Sequence, residues 1–307
     1  MSLTDDDRRA IDELRAASHT TRRATVPALE AVLFEPLPVL DHGFVRVVDY
    51  MGDDAAVVQA ARVSYGKGTK SVRNDAGLIA YLMRHRHSTP FEMCELKLHV
   101  KLPIFVARQW IRHRTANVNE ISARYSILDR EFYVPADDQV AVQSTANRQG
   151  RGDVVAEDVA DRVRTQIDAS GSAAFDLYDA LLADDGPSAV ARELARTVLP
   201  LGTYTQWYWK IDLHNLLHFT ALRADPHAQV EIRAYAEVLL NVLERWVPLT
   251  FAAFVEHRLE AATLSKGQLA VLRRRLAGET VDLAASGLSA REWGELATVL
   301  GEVTESP

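Results

Sequence analysis

Only one cysteine, Cys94, occurs among the 307 residues. No disulfide framework can form within the chain, and no cysteine-rich metal site exists. No apolar run approaches the roughly 20 residues of a membrane-spanning helix. The opening MSLTDDDRRAIDELR is too polar for a signal peptide. Lysine-rich runs are missing and the net charge is -7, so a general nucleic-acid binder is disfavoured. No G-x-G-x-x-G follows a predicted strand. The glycine-bearing stretches GKG, from Gly66, and QGRG, from Gln149, do not make a dinucleotide fingerprint. His214 and His218 stand four apart without an H-E-x-x-H pattern or a third ligand, so no metal is implied. Internal repeats and low-complexity tracts are absent. These exclusions leave a soluble, cytoplasmic protein of ordinary globular composition, 48% hydrophobic and 25% charged. Small anions remain possible ligands, because a local arginine cluster decides that and the total charge does not.

The pattern along the chain mixes strands and helices without regular alternation, which predicts an α+β fold. Residues 1–25 are charged and read as a mobile arm or loose helix. Residues 26–43 carry three prolines and read as an extended lead-in. FVRVVDY, Phe44 to Tyr50, predicts a strand. DDAAVVQAARVSYG and NDAGLIAYLMRHRHSTP predict helices. In EMCELKLHVK, Cys94, Leu96, Leu98 and Val100 alternate with polar neighbours, the mark of a strand with one buried face. Cys94 on that apolar face is therefore a packing cysteine. Pro103 opens a predicted helix, PIFVARQWIRHR. EFYVP and TYTQWYWKIDL predict strands, residues 136–155 a long loop, and 155–184 and 187–199 helices. HNLLHFTALRA, HAQVEIRAYAEVLLNVLERW and the tail after about 262 predict further helices.

RHRTANVNEISARYS, Arg112 to Ser126, packs three arginines, a histidine, a glutamate and two asparagines beyond an apolar helix. Any single arginine there could serve as a cation at a helix end. Several together repel one another unless anions lie between them, and guanidinium groups match phosphates bidentately. Glu120 is an acceptor suited to ribose hydroxyls or ring N–H groups. The spacing R-H-R, seven residues, then Ser122 resembles the signature of the flavin-dependent thymidylate synthases, the ThyX family. ARVSY (Ala61 to Tyr65), HSTPFE (His87 to Glu92), FVARQWIRHR, NEISARYS, ARTVLP (Ala195 to Pro200) and LRADPHAQ (Leu222 to Gln229) resemble further family blocks, in family order. The resemblance runs from about residue 39 to 255.

That resemblance implies a mixed or antiparallel sheet flanked by helices, with active sites at the subunit interfaces of a homotetramer. It implies an N-terminal extension over 1–38, partly mobile, a catalytic domain over 39–262 and a helical tail over 263–307. The implied reaction converts dUMP to dTMP with 5,10-methylenetetrahydrofolate as carbon donor, reduced FAD as hydride donor and NADPH to recycle it, without a cysteine nucleophile. Arg223 is the implied catalytic residue, polarising the uracil ring. The implied dUMP ligands are Gln109, Arg112, Glu120, Ile121, Ser122, Ala123, Arg124, Arg196 and Arg223. The implied FAD contacts are Ser64, His87, Thr89, Arg112, His113, Arg114, Glu120, Asp212, His214 and His218. Where many members read N-x-R then N, this chain has Asp212-Leu213-His214 and His218, and Asp212 cannot donate as asparagine does.

Simpler readings stand beside several of these. Arg223 could pair with Asp225, Glu120 with a neighbouring arginine, and Arg196 could be a helix-end cation. His87 could cap a helix, and Ser64 and Thr89 could be turn or cap hydroxyls. Two other functions compete with the one the resemblance implies. A flavin enzyme acting on RNA uridine would want a broad basic surface, which the net acidity opposes. A non-catalytic nucleotide-binding module would be expected to have lost Arg223 or the RHR cluster.

Overall fold

The computed structural model describes residues 4–63, 75–145, 150–183 and 190–302. The chain divides into two compact units, Met1–Phe254 and Val255–Pro307.

The first unit opens with α1 (Asp5–Ala16), closed at its start by a capping box between Thr4 and Asp7. A short α2 (Pro27–Glu30) and β1 (Pro36–Val39) follow, so the proline-rich lead-in holds a helical turn and a strand. Next come β2 (Gly43–Met51), α3 (Asp54–Val63), α4 (Asp75–Arg84), α5 (Thr89–Glu92) and β3 (Glu95–Pro103). The helix after Pro103, α6 (Ile104–Trp110), is shorter than its sequence pattern suggests. Ile111 caps it, and the backbone N–H of His113 turns back to the Trp110 carbonyl. Arg112 and His113 therefore lie beyond the helix and share no helical face with Arg108 and Gln109.

The polar block continues as β4 (Asn117–Glu120), an exposed strand with no apolar alternation to announce it. EFYVP contributes one bridge, Phe132 to Thr203, in place of a strand. The stretch read as a long loop contains a hairpin, β5 (Ala141–Gln143) against β6 (Arg151–Val154). Exposure of most of its residues hides the period of two. Then come α7 (Glu157–Leu182) and α8 (Arg192–Ala195), the latter followed by a 3₁₀ turn over Arg196–Val198. The helix expected over 187–199 is thus one turn long where described. The unit ends with β7 (Tyr204–Asp212), α9 (Leu213–Arg223), α10 (Val230–Trp246) and α11 (Pro248–Phe254).

Five strands form one antiparallel sheet in the order β1-β2-β3-β7-β4. The fold is α+β, as the sequence predicts, with the sheet wholly antiparallel. Registry puts Val45, Val100 and Trp207 in one row and Val47, Leu98 and Trp209 in the next, all buried on one face. Trp110 of α6 packs against both tryptophans, Phe219 of α9 against Trp209, and Tyr235 of α10 against Trp110. Wide apolar side chains on one sheet face exclude water over a large area, and this fixes α6 and α9 relative to β7. The opposite face is polar: Arg46 lies over Phe44, and His99 stacks on Tyr208. Gly52 takes φ +87, a conformation that suits glycine, and a β-carbon there would meet Cys94 Sγ.

The second unit holds α12 (Lys266–Leu276), α13 (Leu283–Ser286) and α14 (Ala290–Val299), capped by Ser265, Asp282 and Ser289. Val271, Val281 and Leu296 form its core, with Trp293 packed beside them. Among the described residues no helix is long and apolar enough to cross a membrane.

Candidate active site

Two groups of polar side chains gather at the α6–β4–β7–α9 end of the sheet. The first lies where α6 meets α9. Arg223, the last residue of α9, donates from Nη2 to the Gln109 carbonyl at 3.3 Å and places its guanidinium 6.0 Å from the Phe219 ring. His113 packs against His218 at 5.8 Å and edge-on to Phe219 at 5.6 Å. Arg223 Nε, His113 Nε2 and the Gln109 side-chain oxygen are all buried and have no protein partner. Buried polar atoms are usually paired, so three at one junction leave hydrogen-bonding capacity that a ligand could take up. Burial holds the His113 imidazole below its usual range, helped by His218 and Arg223. Burial also lowers the Arg223 guanidinium from its ordinary value. His113 is therefore a neutral ring beside a fixed cation.

Asp212 begins α9 as its N-cap, accepting from the Asn215 backbone N–H at 2.9 Å and from its side-chain amide at 2.7 Å. Both carboxylate oxygens thus serve the helix start. His214 and His218 sit on α9, and α5, which carries Thr89, packs against the same helix. His87 follows the end of α4. There Arg86 adopts φ 61 and the His87 backbone N–H returns to the Leu82 carbonyl, closing the helix. Its ring lies 6.0 Å from Tyr81. His87 thus closes the helix through its backbone while its side chain remains exposed. Ser64 lies outside the described residues.

The second group lines a cavity of about 510 Å³ bounded by Glu120, Ile121, Ser122, Ala123, Arg124, Arg196 and the apolar Ile104, Leu128 and Leu199. Its size falls in the ~300–1,000 Å³ range typical of small-molecule sites. The structure thus joins Glu120–Arg124 to Arg196 from a distant part of the sequence. Arg196 donates to the Glu193 carbonyl, and Arg124 lies over the Tyr125 ring. Tyr125 is held in turn by Arg192, which donates to its carbonyl at 2.7 Å.

Ion pairs among the described residues form elsewhere, as in Arg62–Asp75, Arg130–Asp176 and Arg151–Glu231. None reaches Arg112, Arg114, Arg124, Arg196 or Arg223, whose charges stay available to anions. Asp225, the alternative partner for Arg223, binds the His227 ring and backbone instead. Glu120 accepts from the Thr205 hydroxyl at 2.7 Å, so its partner is a threonine and not an arginine. Thr205 is a pocket residue that the sequence reading misses. It becomes visible only once β4 is known to pair with β7. Among the described residues no group of three His, Cys, Asp or Glu is arranged to hold a metal ion.

Cys94 is fully buried (0% exposed), and its Sγ faces the Asp53 carbonyl at 3.6 Å. Burial and the nearby Asp53 and Asp54 push its thiol up to about 12. A thiol in that state supplies no thiolate nucleophile at neutral pH.

The family described as thymidylate synthase complementing protein matches residues 46–249. The flavin-dependent thymidylate synthase of Gluconobacter oxydans is 65% identical over 300 residues, covering 98% of this chain and 99% of that protein. The flavin-dependent thymidylate synthase of Ruegeria pomeroyi is 60% identical over 301 residues, covering 98% and 100%. Among solved structures, a UMP/dUMP methylase PolB from Streptomyces cacaoi bound with 5-Br UMP superposes with a TM-score of 0.65. It is 35% identical, with 72% of this chain and 97% of that chain covered. The same enzyme bound with 5-Br dUMP also gives 0.65, at 33% identity and 73% and 99% coverage.

Proposed function

The chain belongs to the flavin-dependent thymidylate synthase family, and we propose that it methylates dUMP to dTMP using FAD, 5,10-methylenetetrahydrofolate and NADPH. One observation carries the assignment of the site: three buried polar atoms without partners converge where Arg223 meets Gln109 and His113. Ring carbonyls and ring N–H groups of a bound nucleotide or flavin would satisfy them. FAD fits these residues, because Arg112 and Arg114 are exposed cations suited to its diphosphate and His113 offers a neutral ring edge. When bound, it supplies the hydride that turns the transferred carbon into a methyl group. The further FAD contacts in this reading are Ser64, His87, Thr89, Glu120, His214 and His218, with Asp212 acting through α9. With Asp212 committed to the helix cap, its part is to hold α9 in place.

The cavity between Glu120 and Arg196 is the nucleotide end of this reading. Arg124 and Arg196 take the dUMP phosphate in this cavity, and Gln109 and Arg112, which do not line it, are the dUMP ligands that this reading brings from beyond it. Ser122 donates or accepts through its hydroxyl, and Ile121 and Ala123 contribute backbone. Arg223 holds positive charge beside the uracil carbonyl and ring nitrogen and so favours the electron-rich, enolate-like form of the ring whose carbon attacks the folate methylene. The activity includes assembly into a cytoplasmic homotetramer that completes each site. The test is thymidylate formation by the purified FAD-loaded protein given dUMP, methylenetetrahydrofolate and NADPH. Product is expected. Intact flavin and assembly without product would overturn the reading, and RNA uridine would be the acceptor to examine next.

A further inference from the structure

We propose that Thr205 is a positioning residue for Glu120, setting the direction in which that carboxylate faces the nucleotide cavity. The proposal rests on the reading of this cavity as the nucleotide site. Glu120 ends β4, an edge strand whose four residues are all exposed. A glutamate on such an edge keeps free rotation about its side-chain bonds unless something ties it. The registry of β4 with β7 sets Glu120 opposite Trp207, and Thr205 two positions along β7 points to the same sheet face. That diagonal brings the Thr205 hydroxyl to 2.7 Å from Glu120 Oε1.

The two partners differ in freedom. Thr205 is 4% exposed on a strand paired on both sides, and its branched side chain has few rotamers. The buried residue therefore fixes the exposed one. Both line the cavity with Ser122, Arg124 and Arg196. Thr203, two positions earlier, buries a hydroxyl with no partner, so pairing of hydroxyls in this segment is not automatic. The donor is also neutral. An arginine in its place would offset the carboxylate charge and occupy both oxygens. The threonine ties Oε1 alone, leaving Oε2 and the full negative charge for a donor on the nucleotide.

The experiment uses full-length, FAD-loaded protein and measures dUMP dissociation constants by titration of the flavin spectrum, with kcat and KM alongside. The proteins are wild type, Thr205→Val, Thr205→Ala, Thr205→Ser, Glu120→Gln and the Thr205→Val/Glu120→Gln double variant. Both Thr205→Val and Thr205→Ala are expected to weaken dUMP binding about tenfold, the effect of a hydrogen bond to a charged acceptor. Thr205→Ser should stay within about twofold of wild type, and in the Glu120→Gln background Thr205→Val should add less than about twofold. An equal penalty in both backgrounds would overturn the proposal. So would a serine variant as weak as valine, or an alanine variant that binds like wild type. A Glu120→Gln protein that binds dUMP normally would instead overturn the reading of the cavity itself.

Discussion

Arg223 closes α9 with its guanidinium half-buried, one donor on the Gln109 carbonyl and another without a partner. A cation held so costs little to reorganise when charge develops beside it. Arg223→Ala should lower thymidylate formation by about 100-fold or more while FAD stays bound, and Arg223→Lys should not restore it, since an ammonium lacks the planar fork. Thymidylate yield and flavin absorbance are read together; loss of the flavin, or a normal rate, contradicts the role. Cys94 is the converse case. Its alternation with Leu96 and Leu98 makes the burial legible in the sequence, and the structure adds the raised thiol. Cys94→Ala should cost about 1 kcal/mol of stability, measured by urea unfolding, through lost packing. The choice of partners was not legible. Asp225 and Glu120 have neighbours in sequence that suggest other pairings. Only the turn after α9 and the β4–β7 registry decide that Asp225 takes His227 and Glu120 takes Thr205.

The strand β3 is legible from its alternation of apolar and polar residues, and β7 from its aromatic and β-branched content; β4, β5 and β6, largely exposed, have no alternation to show. The end of α6 at Trp110 was also hidden, because Arg112 and His113 continue a helical spacing that the chain abandons. The hairpin is held by Arg151, whose guanidinium pairs with Glu231, 1% exposed and also bound by Tyr133 and Gln229. Arg151→Ala should destabilise the first unit by about 2 kcal/mol, by leaving a buried carboxylate without its cation. An unchanged urea midpoint would contradict that pairing. On the open sheet face, burial and the nearby Arg46 and Lys101 lower His99 from 6.5 to about 4. Between those values the unfolded chain binds a proton that the folded protein refuses, so stability falls as pH falls from 6.5. His99→Gln should remove about 1–2 kcal/mol of the loss seen between about pH 7.5 and about pH 5. Unfolding curves that remain parallel for the two proteins would rule this out.

At the scale of the whole chain, the edge strand β1 limits what can be cut away. It pairs with β2 over Pro36–Val39, and the Phe34 backbone N–H reaches the Val47 carbonyl. Deleting residues 1–24 should leave the mass measured by light scattering equal to the full chain's, less the deleted residues. Deleting 1–39 removes a sheet strand and should abolish soluble protein. A soluble longer deletion with the full chain's assembly would contradict that limit.

We propose that the chemistry runs on a flavin beside Arg223 and uses no cysteine. Tritium release from dUMP labelled at the ring carbon that receives the methyl group reads this out. The assay holds methylenetetrahydrofolate and NADPH, with and without FAD, for wild type and Cys94→Ala. FAD-dependent release, with thymidylate formed, is expected from both proteins. Release that needs no FAD, or that disappears with Cys94 while the fold and flavin remain, would contradict it.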